Sequence, residues 1–240
     1  MKTIKTSLLM LATLFCVVVT NAQTADDIIA KHIDALGGKD KLSQINTVYI
    51  ESTTSAMGND GPTKTYIVAG KAYKNESDFN GQSFVNVITD TSGWMINPYA
   101  GAADPTAISN DQFKLNADEV YVDPLLNYTA NGAKVELAGQ EKVGDINAYK
   151  LKYTNKYGSE TNYYIDPATW YIIQATKTAN AMGQEVIVTI SMSNYKQTDY
   201  GIYMPYTTHI DMGQFALDVN TQKVEINKEI DPKMFEMSKQ

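Results

Sequence analysis

Apolar and polar positions change their spacing near Asn46. Before it the period is helical. Ile29, Ile33 and Leu36 recur at helical intervals, with Ala25 one turn earlier. Thr24 stands three residues before Asp27, the spacing of a capping box, and Asp26 and Asp27 suit the positive end of a helix dipole. Gly37-Gly38 supplies the left-handed stop. A second short helical turn over residues 39–45 carries Leu42 and Ile45. After Asn46 the period is two. Val48 and Ile50 alternate with Tyr49 and Glu51 in residues 47–54, and short strands are expected over 64–69, 72–78, 83–89 and 93–97. The cluster Gly58-Asn59-Asp60-Gly61-Pro62 reads as a turn. Between Tyr99 and Tyr128 the alternation stops: residues 101–109 read as loop, 110–120 and 123–128 as short helices. Strands resume over 134–143, 146–155, 160–166, 171–178, 185–195, 206–212 and 215–228, with turn residues at Gly144-Asp145, Tyr157-Gly158, Asp166-Pro167, Met182-Gly183 and Tyr200-Gly201.

About eleven strands joined by short turns, with no βαβ alternation and no fixed repeat, predict a mainly β antiparallel meander in one domain. A sheet that long must curl or close. The alternation also separates its faces. Tyr149, Leu151 and Tyr153 point opposite to Lys150 and Lys152, and Val186, Val188, Ile190 and Met192 share a side. The N-terminal helix and residues 110–128 are the elements available to cover the apolar face.

The first 22 residues follow a different logic. Lys2 and Lys5 precede a continuous apolar run over residues 7–19, and Thr20-Asn21-Ala22 ends it on a small residue. This is a secretory signal peptide, too short for a stable span, with cleavage expected after Ala22 and a single mature domain over 23–240. Lipidation at Cys16 fits poorly, because Phe15 sits where a small residue is needed and residues 17–19 continue the apolar run. The chain's one cysteine leaves with the leader. That removes thiolate metal sites and cysteine nucleophiles from the mature protein.

All 20 basic residues are lysine, none is arginine, and 27 acids give a net charge of −7. Eighteen lysines remain after cleavage, for a net −9. Without a basic face or an arginine fork, nucleic acid is a poor partner and an anion clamp has no residue to build it. Only two histidines exist. His32 beside Ile33 reads as a partly exposed helix residue, while His209 and Asp211 share a strand face as a possible metal pair too small to complete a site. No G-x-S-x-G, phosphate loop or dinucleotide motif appears, and nothing calls for a cofactor. Asp26-Asp27 and Asp118-Glu119 read as helix-start or solvated charges. Sixteen tyrosines against six phenylalanines suit half-buried pleats and amphipathic pocket walls. The candidate site is therefore an apolar cavity between sheet and lid. Its walls would come from Ile50, Tyr66, Trp94, Tyr149, Tyr153, Val188 and Met192, joined by Tyr163 and Trp170, and from Ile33, Leu36, Leu125 and Leu126 on the covering elements.

Several segments carry a resemblance: residues 28–48 (IIAKHIDALGGKDKLSQINTV), Gly93-Trp94 with Asn97-Pro98, and the run DPLLNY from Asp123. To these belong VELAG from Val135, AYKL from Ala148, YYIDP from Tyr163, NYK from Asn194 and GIYMP from Gly201. Together they resemble the outer-membrane lipoprotein-sorting-protein-like group of Bacteroidetes, related to the carrier LolA and its receptor LolB. The resemblance runs from about Ala25 to the end, and none of its motifs is catalytic. It implies an unclosed antiparallel half-barrel with a helical lid over an apolar cavity. It further implies a periplasmic protein that binds acyl chains of lipid or lipoprotein and meets envelope transport components. The classical carrier uses an arginine in opening and closing, and here no residue can be carried over to that role. The residues by themselves leave a β-rich hydrolase and a solid-cored envelope interaction module as alternatives. Intact-mass measurement of the secreted protein should give a chain beginning at Gln23. A mass retaining Cys16 with added acyl groups would overturn the cleavage assignment.

Overall fold

The computed structural model describes residues 23–181 and 184–237; the leader, its cleavage position and the expected turn at Met182-Gly183 lie outside them. Helix α1 (Ala25–Leu36) forms where the helical period predicts it. The Thr24 hydroxyl accepts from the Asp27 amide at 3.1 Å, and Asp27 Oδ2 accepts from the Thr24 amide at 3.0 Å, which satisfies two of the donors a helix start leaves unpaired. At the other end Gly37 has φ +130° and the Gly38 amide returns to the Ile33 carbonyl at 3.0 Å. A Cβ on Gly37 would stand 3.1 Å from the Gly201 carbonyl oxygen, so glycine here serves both the cap and a close approach. Helix α2 (Lys39–Ser43) follows and fixes itself to the same turn through Lys41 Nζ, 3.0 Å from the Gly201 carbonyl.

Thirteen strands then build one antiparallel sheet: β1 (Thr47–Ala56), β2 (Asn59–Val68), β3 (Ala72–Phe79), β4 (Gln82–Thr89), β5 (Gly93–Asn97), β6 (Ala102–Ala107), β7 (Lys134–Val143), β8 (Ile146–Thr154), β9 (Glu160–Ile165), β10 (Ile172–Ala181), β11 (Gln184–Gln197), β12 (Tyr203–Asp211) and β13 (Ala216–Ile226). The spatial order is β6-β5-β4-β3-β2-β1-β13-β12-β11-β10-β9-β8-β7. Every neighbour is a sequence neighbour except the β1–β13 pair at the centre. The two free edges, β6 and β7, are consecutive in the chain, so the sheet stays open and the 26 residues between them, 108–133, must cross its mouth. Curvature is helped by bulges. The β1–β13 register slips between Glu51 and Ser52, and the β7–β8 register slips between Leu137 and Gln140, where Gly139 has φ +101°.

Relative to the expected segments, β2 is longer and β6 is added, each for an identifiable reason. Asn59, Asp60, Gly61 and Pro62 have poor strand propensity yet lie inside β2, because the turn is confined to Met57-Gly58 and β1 supplies a full-length partner. Residues 102–107, expected as loop, form edge strand β6 on the template of β5. Pro105 suits an edge, where a missing donor is harmless. Residues 123–128, expected as a helix, are a run of turns. The segment 110–120 is helical as expected: α3 (Asn110–Asn116), with a capping box from Ser109 and Gln112, runs into a 3-10 turn over Ala117–Val120.

Alternation puts one apolar stripe on each face. The concave stripe packs Val48, Ile67, Leu151 and Ile165 against Ile28, Ile29, Ile33 and Leu36 of α1. A second concave group sets Ile88 beneath Phe113, Ala117 and Val120 of the crossing segment. On the convex face Val85, Val87 and Ala72 lie under Phe235 of the C-terminal turn Pro232–Phe235. Gly61 marks the closest backbone approach. A Cβ there would overlap the Asp78 carbonyl and press on the Phe79 ring at 2.9 Å. Gly61→Ala should therefore destabilise by about 1–3 kcal/mol, the usual range for overpacking. Urea unfolding checks this, and an unchanged midpoint would show that β3 yields freely.

Candidate functional site

Where the crossing segment passes over the concave face it leaves a cavity of about 330 Å³. Its walls are mostly apolar: Ile67, Ala175, Ile190 and Met192 on the sheet side, where Thr161 and Lys177 also reach it, and Leu36 and Leu42 at the helical end beside His32. Its roof is the crossing segment itself, through Leu115, Tyr121, Val122 and Pro124. That roof is fastened on several sides. The Val120 carbonyl accepts from the Gly70 amide at 2.8 Å, and the Tyr128 hydroxyl donates to Asp26 Oδ1 at 2.6 Å. Asp118 accepts from the Tyr153 hydroxyl at 2.9 Å and the Asn155 amide at 2.8 Å. Lys177 Nζ, on the sheet, donates to Asn116 Oδ1 at 3.0 Å and faces Glu119 at 3.5 Å.

The strongest fastening is His32 with Asp123. His32 is 1 % exposed, not partly exposed as expected, because the helix turns it beneath the roof. Its Nε2 lies 3.0 Å from Asp123 Oδ2, and its Nδ1 lies 2.7 Å from the Trp170 carbonyl oxygen. A carbonyl and a carboxylate both only accept, so the ring carries both protons and the pair is a buried imidazolium–carboxylate. Burial alone would drive the ring neutral. The charge and hydrogen bond of Asp123, with the Trp170 carbonyl, outweigh that and raise the His32 pKa. Burial likewise pushes Asp123 up, but the His32 charge and hydrogen bond and the Leu125 and Leu126 amides bring it below the usual carboxylate value. Trp170 reaches His32 from the β9–β10 turn with φ +63°, a strained conformation for this residue. Its ring is held by a parallel stack on Tyr149 at 5.8 Å and by Lys31 Nζ at 4.4 Å.

Of the residues expected to wall the cavity, Leu36, Met192 and Tyr163 line it. Ile33, Leu125 and Tyr153 are instead buried in the packed core beside it, with Ile50, Leu126 and Tyr149 partly buried against that core. Val188 is buried on β11, opposite Lys177, without being part of the lining. Tyr66 and Trp94 are corrections. Tyr66 pairs with Tyr49 and takes the parity opposite to Ile67, and Trp94 Nε1 donates to the Phe235 carbonyl at 2.9 Å, so both belong to the convex face. Trp94 helps line a groove of about 570 Å³ there, larger than the concave cavity, whose charged residues Lys71, Asp90 and Glu236 are all exposed. The concave cavity is the better candidate because titratable groups are buried in its wall. His209 does not pair with Asp211. Its Nδ1 lies 2.7 Å from Asp218 on the neighbouring strand, in the open. Asp118, expected to be solvated, is half-buried and its pKa is raised by burial, against the opposing hydrogen bonds from Asn155 and Tyr153. His32, Asp123 and Lys177 are not among the residues expected at the site. The helical interval from Ile29 and Leu36 was the signal for His32, while Asp123 and Lys177 come from distant strands and turns that only the topology unites.

No protein-family model and no curated protein matches the chain. Solved structures do match its fold. A LolA superfamily protein from Nitrosomonas europaea aligns with TM-score 0.56 at 13 % identity, covering 90 % of this chain and 98 % of that one. A domain described as an outer membrane lipoprotein-sorting protein from Vibrio parahaemolyticus aligns with TM-score 0.54 at 14 % identity, covering 87 % and 94 %. A DUF1329 family protein from Desulfovibrio piger aligns with TM-score 0.53 at 16 % identity, covering 87 % and 97 %. The chain thus has the open, lidded half-barrel fold of LolA-like proteins, as its sequence resemblance implies.

Removing one partner of the buried pair strands the other. His32→Leu should cost about 3–5 kcal/mol, and His32→Leu with Asp123→Leu should recover much of that. The pH dependence follows from the two shifts. His32 is raised in the fold, so its contribution is complete below its unfolded pKa near 6.5 and is lost as pH rises through the higher folded value. Asp123 is lowered, so its contribution fails only in strong acid. Urea midpoints should fall from pH 6 to pH 9 in the native protein and hold level in the double variant. A parallel fall in both would show that other groups set the dependence.

Proposed function

We propose that this protein is a periplasmic carrier or binding protein that holds an acyl chain, of a lipid or a lipoprotein, in the concave cavity. The observation that carries the reading is a cavity with a mostly apolar lining, its polar wall groups tied to neighbours, roofed by a segment joined at both ends to the sheet edges. The leader directs the chain across the inner membrane, cleavage after Ala22 releases a single domain over 23–240, and lipoprotein sorting with envelope transport components is the setting. Its fold is shared with a domain described as an outer membrane lipoprotein-sorting protein. No helix among the described residues is long and apolar enough to cross a membrane. A volume of 330 Å³ is at the small end of ligand sites and suits one chain rather than several. Binding without bond chemistry agrees with the cavity's titratable groups. His32 has both ring nitrogens committed, and Asp118 and Lys177 are each tied to neighbours.

Each methylene buried removes apolar surface worth about 0.8 kcal/mol, offset in part by ordering of chain and roof. Ligand at about 100 times its dissociation constant stabilises a fold by roughly 2.7 kcal/mol. For a domain of this size that is a rise of a few degrees in Tm. The rise should grow with chain length across a series of alkyl amphiphiles and persist in high salt, which screens only exposed charges. A delipidated protein whose melting ignores every long-chain amphiphile would overturn the reading and leave the solid-cored module.

A further inference from the structure

Beyond the roofed cavity the concave face continues along the same strands, and its chemistry changes. Ile67 and Tyr73 line the cavity; two residues further on, at the same parity, stand Thr65 and Asn75. The row runs on through Thr63 and Ser77 and reaches Asn86 on β4, opposite Asn75 and two residues before Ile88. These side chains face one another. Asn75 Nδ2 donates to Thr65 Oγ1 at 2.9 Å, and the hydroxyls of Thr54, Thr63 and Ser77 form a chain at 2.7 and 2.8 Å.

Charge is absent from this surface by pattern. Every charged residue of β1–β4, β12 and β13 has the opposite parity and lies on the convex face. Lys64 sits opposite Glu76, Glu51 opposite Lys223, and Asp218 opposite His209. Strand alternation alone could have kept the concave row apolar, as it does on the stretch beneath α1. Instead the row keeps hydrogen-bonding groups and excludes ionised ones. Some of its capacity is unspent. Among the described residues the half-buried Asn86 amide makes no hydrogen bond, the Asn75 carbonyl oxygen accepts none, and Thr65 spends its oxygen but keeps its proton.

We propose that this row receives the headgroup of the ligand whose chain enters the cavity, and that the headgroup is uncharged and hydroxyl-bearing. The inference rests on the carrier reading and adds the class of ligand to it. An uncharged hydroxylated head can both donate to the Asn75 oxygen and accept from the Asn86 amide and the Thr65 hydroxyl. A charged head would lose its hydration and find no counter-charge on the row, a heavy penalty at a partly buried surface.

Three amphiphiles with one twelve-carbon chain separate these cases: dodecyl maltoside, dodecyltrimethylammonium and dodecyl sulfate. Each is titrated below its micelle threshold onto the delipidated protein, with binding read by calorimetry. The maltoside should bind at least tenfold more tightly than either ion. Asn86→Leu should weaken the maltoside roughly three- to tenfold, the worth of one neutral hydrogen bond, and leave the two ions unchanged. The melting temperature of the Asn86→Leu protein should match the native one, since that amide ties nothing down. Equal binding of all three, tighter binding of either ion, or an Asn86→Leu effect common to all three would overturn the headgroup proposal while leaving the carrier reading intact. Failure of all three to bind would overturn the carrier reading and this proposal with it.

Discussion

A sheet of thirteen strands that curls without closing leaves an apolar concave face, and something other than the sheet must cover it. The order of strands decides what does. Because β1 and β13 pair at the centre, the sheet's two edges are β6 and β7, and a single stretch of chain joins them. That stretch has no course except across the mouth. Its covering role is thus a consequence of topology, and its sequence needs only to supply enough apolar contacts, such as Phe113 and Val120 over Ile88, to settle there. The same route tethers the roof at both ends, so displacement from the cavity requires it to lift as a strap and not swing free as a terminal arm.

Apolar contact sets that the roof is down but not where it lies, since dispersion and the hydrophobic effect are poorly directional. Position comes from the polar fastenings. His32 joins three pieces far apart in sequence: helix α1, Asp123 on the roof and Trp170 on the β9–β10 turn. A buried ion pair adds little net stability over a well-packed apolar substitute, yet one partner without the other is costly. Such a pair therefore penalises wrong placements more than it rewards the right one. The strained backbone of Trp170 fits this account. In that conformation its carbonyl lies 2.7 Å from the His32 ring nitrogen, and its own side chain is stacked on Tyr149. Asp118 repeats the device at the other side of the roof, with Tyr153 and Asn155 as its partners.

Local pattern was a good guide wherever local physics decides. The Thr24 capping box, the Gly37 stop and the period-two strands from Lys134 onward are all present close to their expected limits. It misled where a neighbour overrides propensity: Asn59 to Pro62 are strand because β1 is long enough to pair them, and residues 102–107 are strand because β5 offers an edge. Parity explains the site. Met192 and Leu36 could be read as facing inward from alternation and helical spacing. Tyr66 and Trp94 looked equally suitable as aromatic wall, but the sheet has apolar stripes on both faces, and hydrophobicity cannot tell one stripe from the other. Only register against β1 and the C-terminal turn separates them. The Asp123 and His32 pairing spans 91 positions, and no sequence spacing announces it.

The division of polar residues between the two faces bears on selectivity. An apolar cavity discriminates chains weakly, since one methylene more or less changes affinity by only about 1–3 kcal/mol, whereas a site built to hydrogen-bond its ligand rejects analogues lacking the partner far more strongly. In this protein the ionised groups of β1–β3, β12 and β13 lie on the convex face, where water solvates them. Beneath the roof the concave face joins apolar residues to the tied groups His32, Asp123 and Lys177, and past the roof it carries uncharged hydrogen-bonding residues. In the proposed carrier role, burial of an acyl chain supplies affinity that salt does not weaken, and the row from Thr63 to Asn86 supplies the discrimination between headgroups.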